Sequence, residues 1–312
     1  MNGAGSKRAE WRRNPERSNM LMLRLMTWIS LRLGRPAGRV VLYGIAAYFL
    51  LFAPRSRAAS RLYLQRVLKR PAGWRDIYRH FFCFASTIHD RVYLLNQRFE
   101  LYDIQVVGEA LVQELLSDGQ GVLLIGAHMG SFEAIRALGR HRAGLTVAMA
   151  MYEENARKIN QMLSAINPAA QQDVIGLGQF DSMLKVKERL EQGIAVGILA
   201  DRMLGADDTQ TVSLLGHPAP LPTGPFRMAA ILRRPVVFMV GLYMGGNRYE
   251  IHFEQLADFS AVPAGQRQRE IAGAMARYAG LLEKYCERAP YNWFNFFDVW
   301  QKTQNAARKD QE

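Results

Sequence analysis

The chain has 312 residues, of which 49% are hydrophobic and 22% charged. That composition excludes disordered, collagen-like and repeat classes, and two distant cysteines, Cys83 and Cys286, exclude a disulfide framework or a Cys-rich zinc module. The formal net charge of +12 invites a nucleic-acid reading, but the excess is local. Met1 to Arg79 holds 17 Lys+Arg against 3 Asp+Glu, while the remaining stretch holds 23 against 25. The body of the protein is near neutral, which argues against a cytosolic nucleic-acid binder.

The same basic quarter is rich in apolar residues. Met20 to Leu33 mixes them with Arg24, Arg32 and Trp28, and Val40 to Ala53 is an unbroken apolar run. Fourteen residues fall short of the roughly 20 that cross a bilayer. Arginines on both flanks (Arg35 and Arg39, then Arg55, Arg57 and Arg61) can snorkel to phosphate level. No small-residue cleavage site follows, so the run is not a signal peptide. It reads as a helix lying in one leaflet from the cytoplasmic side, or else as a buried helix of a helical subdomain. Residues 1–98 are therefore assigned to a basic, hydrophobic, membrane-anchoring helical region, 99–303 to an α/β domain, and 304–312 to a polar tail.

In chain order, Ala58 to Gln97 has helical spacing with a break at Pro71 and Gly73. Short β-type runs follow at Tyr102–Val107, Gly121–Ile125, Leu145–Ala150, Asp173–Ile175, Ile194–Leu199, Thr211–Leu215, Val236–Tyr243 and Tyr249–Phe253. Several are apolar throughout, as strands buried on both faces are. Helical patterns lie between them at Glu109–Ser117, Phe132–Arg140, Asn155–Ala165, Ser182–Gln192 and Thr223–Leu232, with a long one at Gln268–Glu287. The alternation predicts an α/β fold, an open, mostly parallel or mixed sheet flanked by helices.

The stretch Gly121 to Leu138, GVLLIGAHMGSFEAIRAL, carries the chemistry. A buried strand ends near Gly126, and ligands in such sheets bind beyond the carboxyl ends of strands. His128 stands there. Five residues apart on one helix, His128 and Glu133 would lie about 140° apart and could not pair. A turn at Gly130 and an N-cap at Ser131 place the His ahead of the helix instead. Glu133, in the first turn, is then expected to orient the imidazole so that the other ring nitrogen takes a proton from a hydroxyl. The bland alternative is a capping Glu beside a structural His.

G-A-H-M-G-S-F-E resembles the H-x4-[D/E] motif of the lysophospholipid acyltransferase superfamily, most closely the bacterial lipid A secondary acyltransferase branch. The resemblance extends to the basic N-terminal segment and to the Asp-containing turn Ala200-Asp201-Arg202. It also takes in Leu214-Leu215-Gly216 leading to Pro222-Thr223-Gly224-Pro225-Phe226, and the strand opened by Arg234-Pro235-Val236-Val237. It implies a glycerolphosphate acyltransferase-like fold. His128 would be the general base, oriented by Glu133, for transfer of a fatty acyl chain from an acyl carrier protein or coenzyme A thioester to a lipid or glycolipid hydroxyl. Arg202 and Asp201 would serve substrate binding, Arg202 by forked contacts to phosphate, and Gly216, Pro222, Thr223 and Gly224 would shape the site wall. No bound cofactor or metal is implied. Anionic membrane lipid and acyl carrier protein are the expected partners, at the cytoplasmic face of the inner membrane. Where the lipid A enzymes carry a Trp near a His-Arg-Arg-type cluster, this chain has Tyr291-Asn292-Trp293-Phe294-Asn295-Phe296-Phe297-Asp298-Val299-Trp300. Another glycolipid or a polyene-type lipid therefore stands beside lipid A as acceptor.

Other patterns carry less. Val174 to Asp181 is a partial dinucleotide fingerprint with Asp181 at the third glycine position. There is no G-x-S-x-G. His80, His89, His141, His217 and His252 lack metal-ligand spacing. A non-catalytic glycolipid-binding protein on the same fold is the competing reading, opposed by the presence of both His128 and Glu133.

Overall fold

A computed structural model describes residues 20–141, 145–152, 166–167, 173–178, 181–203 and 208–301. The predicted helix Asn155–Ala165 and the polar tail lie outside the described residues. Among the described residues three helices come first: α1 (Met20–Phe52), α2 (Pro54–Leu68) and α3 (Trp74–Leu95). Gly34 breaks α1 with φ +80, two residues ahead of Pro36. Pro54 opens α2, where its missing N–H costs nothing. The two helices meet at 96°.

The α/β region follows: β1 (Asp103–Val107), α4 (Glu109–Leu116), β2 (Leu123–Gly126), α5 (Phe132–His141), β3 (Val147–Tyr152), β4 (Val174–Leu177), α6 (Ser182–Glu191) and β5 (Ala195–Leu199). It continues with β6 (Thr209–Leu214), β7 (His217–Pro222), α7 (Gly224–Leu232), β8 (Pro235–Gly245), β9 (Arg248–Asp258) and α8 (Arg267–Arg288). Seven strands form one sheet in the order β1-β9-β8-β2-β5-β3-β4. All neighbours run parallel except the β8–β9 hairpin. The sheet is therefore mostly parallel and helix-flanked, as expected.

Side chains alternate across the sheet with period two. Leu123, Ile125, Val196, Phe238 and Val240 pack in one cluster with α2, α7 and α8. Leu124, Ala195, Val237 and Met239 pack on the opposite face with α3, α4 and α5. Both faces are covered, which explains the continuous apolar strands. Ala46, Tyr63, Leu64 and Phe81 of the helical region share the first of these cores.

β6 and β7 make a separate two-stranded antiparallel ribbon. The sequence reading took β6 as a strand but not β7, which carries Pro218, Pro220 and Pro222. All three fall on alternate positions, so the missing N–H groups share one side of the strand and the other side keeps its pairing.

The first helix is tied down by ionic contacts. Arg35 donates from Nε and Nη2 to the two oxygens of Asp90 at 2.8 and 2.9 Å, and Tyr249 donates to Asp90 Oδ2 at 2.9 Å. The Arg35 and Arg39 guanidiniums also cap the β8–β9 turn at the carbonyl of Gly246.

Candidate active site

β2 and β5 are parallel neighbours, with Gly126 opposite Leu199. Two residues further on, each chain leaves the sheet at the same level, with His128 after β2 and Asp201 after β5. Strands spaced about 4.8 Å apart bring such side chains within bonding reach. His128 Nδ1 lies 2.8 Å from Asp201 Oδ1, and the His128 peptide N–H donates to Asp201 Oδ2 at 3.0 Å. A carboxylate accepts only, so Nδ1 carries the proton and Nε2 is the basic nitrogen.

This corrects one expectation. The carboxylate on the imidazole is Asp201, where Glu133 had been expected. Glu133 is buried in the first turn of α5 and its Oε1 lies 3.1 Å from Arg91 Nε on α3. The reason is topological: the start of α5 offers Glu133 to α3, whereas the end of β5 faces the His directly. Asp201, expected to touch substrate, is 1% exposed and is spent on His128.

The turn between β2 and α5 is held on all sides. Ala134 N–H donates to Ser131 Oγ at 3.2 Å, so Ser131 is the expected N-cap. Gly130 has φ +62, and a Cβ there would sit 1.9 Å from the Gly241 carbonyl oxygen of β8. Only glycine permits that conformation and that approach together. Ser131 N–H donates to the Gly241 carbonyl at 2.7 Å.

The aromatic segment 291–297 closes the site as a strap. Gly130 N–H donates to Asn292 O at 2.9 Å and Phe294 N–H donates to His128 O at 2.8 Å. Asn292 exchanges hydrogen bonds with the Tyr243 backbone at 2.8 and 3.0 Å. Trp293 Nε1 and Asn295 Nδ2 donate to Asp201 Oδ2 at 2.8 and 2.9 Å. Burial pushes the Asp201 carboxyl up, but the charge and hydrogen bond of His128, the charge of Arg202 and the Trp293 indole outweigh it. The carboxyl is held well below the usual carboxylate range.

Behind the strap, His80 is fully buried between Ser60 Oγ on Nδ1 and the Trp293 carbonyl on Nε2, both at 2.8 Å. Burial lowers its pKa to about 4 against the raising effect of the Trp293 carbonyl. The ring is neutral, accepting from Ser60 and donating to Trp293.

The remaining sequence-picked residues sit apart from this pair or serve the strap. Arg202 donates to Asn295 Oδ1 at 2.7 Å and to the Phe294 carbonyl at 3.1 Å. Gly216 forms the exposed β6–β7 turn, and Pro222 pairs with Thr209. Thr223 donates to the Asp208 carbonyl and Gly224 begins α7. Among the described residues, no hydrogen bond joins these four to His128 or Asp201.

Sequence reasoning missed His80, and it read the aromatic segment 291–300 as lining of the acyl or acceptor site or as packing, without giving Asn292, Trp293 or Asn295 a role on Asp201. A signal was available: asparagines inside an aromatic run are costly to bury unless paired. No curated protein matches the chain. The family model described as bacterial lipid A biosynthesis acyltransferase matches residues 20–302, so the chain belongs to that acyltransferase family.

Proposed function

We propose that the protein moves a fatty acyl chain from an acyl thioester, on acyl carrier protein or coenzyme A, to a hydroxyl of a lipid or glycolipid acceptor. His128 Nε2 takes the hydroxyl proton as the oxygen attacks the thioester carbonyl. The C–O bond forms and the C–S bond breaks. The imidazolium then returns its proton to the leaving thiolate. Asp201 fixes the tautomer and stabilises the imidazolium. The observation that carries this reading is the 2.8 Å contact between Nδ1 and Asp201, with the imidazole 31% exposed and the carboxylate fully buried. Glu133 acts here as a positioning residue: through Arg91 it fixes the start of α5 and with it the turn after His128.

The acceptor reaches the site from a membrane surface in this proposal. No single described helix is long and apolar enough to cross a bilayer, although Ser30–Phe52 of α1 and Pro54–Leu68 together are, as a pair bent by 96°. At their elbow Leu51 and Phe52 are 60% and 61% exposed. Trp74, also exposed, lies under Arg57 and Arg61 at 5.2 and 6.0 Å. Apolar side chains with arginines beside them suit an anionic lipid surface on the cytoplasmic side of the inner membrane.

Mass spectrometry of host lipid extracts tests the activity, comparing the wild type with strains lacking the gene or carrying His128→Ala or Asp201→Asn. A lipid class short of one acyl chain in all three supports the reading. Normal acylation in the His128→Ala strain, or no lipid change in any, overturns it in favour of a binding protein on the same fold.

A further inference from the structure

Asn295 is 2% exposed and sits between the two charged residues of the β5 loop. Its Nδ2 donates to Asp201 Oδ2 at 2.9 Å, and its Oδ1 accepts from Arg202 Nε at 2.7 Å. The partners settle which end is which, because a carboxylate only accepts and a guanidinium only donates. A carboxamide of this length offers a donor to one side and an acceptor to the other. Aspartate would turn an oxygen toward Asp201, and leucine would take one hydrogen bond from each of the two charges.

We propose that Asn295 is a positioning residue that restrains the basicity of His128, by drawing on the Asp201 carboxylate and by clamping Arg202 beside it. The inference rests on the His128–Asp201 pairing of the proposed mechanism. Each N–H directed at Asp201 disperses its charge and weakens its pull on the His128 Nδ1 proton. Arg202, held close, opposes a second positive charge on the imidazole. Both effects lower the affinity of His128 for its proton, which favours the neutral imidazole that a general base requires. Among the described residues, Tyr278 and Cys286 on α8 also face Asp201. Burial keeps both protonated across the working range. Behind the strap, His80 on α3 is neutral above about pH 4.

The test is a pH titration of 13C-labelled histidines by NMR, on the full chain in phospholipid–detergent micelles, with His128→Gln assigning the resonance. Asn295→Leu and Asn295→Asp should each raise the His128 midpoint by about 0.5 to 1 pH unit. Asp201→Asn should lower it. If the Asn295 variants leave the midpoint unmoved while Asp201→Asn shifts it, the inference on Asn295 fails and the pairing stands. If Asp201→Asn also leaves it unmoved, the pairing itself falls. Loss of folded protein in both Asn295 variants assigns the residue to packing of the strap and overturns the proposal.

Discussion

The indole N–H of Trp293 and the peptide N–H of His128 converge on the same oxygen of Asp201, at 2.8 and 3.0 Å. The strap and His128 thus share one buried acceptor. Trp293→Phe keeps the aromatic contact with Tyr63 but deletes the donor. A hydrogen bond to a charged group is worth about 1.5–3 kcal/mol, so chemical denaturation should show a loss of that order. Unchanged stability would mean that the indole contributes volume alone.

Acid should loosen the site in two separable ranges. Asp201 has a depressed pKa in the folded state. Its contribution is present above its unfolded value of about 3.9 and is lost as pH falls toward the folded value. His80 is also lowered, from 6.5 to about 4. For a base this means full stability above pH 6.5, lost as pH drops from 6.5 to about 4, because the unfolded chain binds the proton first. The shift corresponds to about 3 kcal/mol when fully developed. Melting curves of His80→Gln should be flatter than wild type between those pH values. Parallel curves would remove His80 from the account.

Gly130→Ala should destabilise the fold by at least about 2 kcal/mol, since a left-handed residue costs about 1–2 kcal/mol before any clash is counted. The added Cβ would also push the His128 turn off the Gly241 carbonyl. Gly216→Ala is the control: φ is +74 there, but nothing lies within 4 Å of the new Cβ. Only the conformational cost of about 1–2 kcal/mol applies to it. Equal losses in the two variants would show that the close approach to β8 carries no energy.

Arg35→Met should strand the Asp90 carboxylate, which is fully buried. Removing one partner of a buried pair costs about 3–5 kcal/mol. The first helix should then release from α3, and limited proteolysis should cut ahead of Phe52 in the variant and spare the wild type. Equal resistance in both would place the anchoring of that helix in its apolar contacts.

His128 was legible because its neighbourhood is local: a strand, two small residues, a turn glycine, a capping serine and a helix lie within one stretch of chain. Asp201 was legible as a turn residue and was assigned to substrate binding, since its partnership with His128 depends on β2 and β5 being neighbours. Glu133 was favoured because it is close in sequence, yet proximity along the chain lost to register across the sheet. β7 was hidden by prolines whose alternation is compatible with pairing on one side alone. Asn295 and Trp293 stand more than 160 residues from His128, and only the tertiary fold brings them to it.

Residues 293–295 are synthesised after every strand of the sheet and after α8. A chain emerging from the ribosome can therefore build its whole sheet, with the histidine and the aspartate already side by side, while the aspartate still lacks two of its four hydrogen bonds. On the proposed mechanism, chemistry waits until residues 293–295 cross over the loop. On that mechanism, a truncated product ending after α8 should be folded but inert.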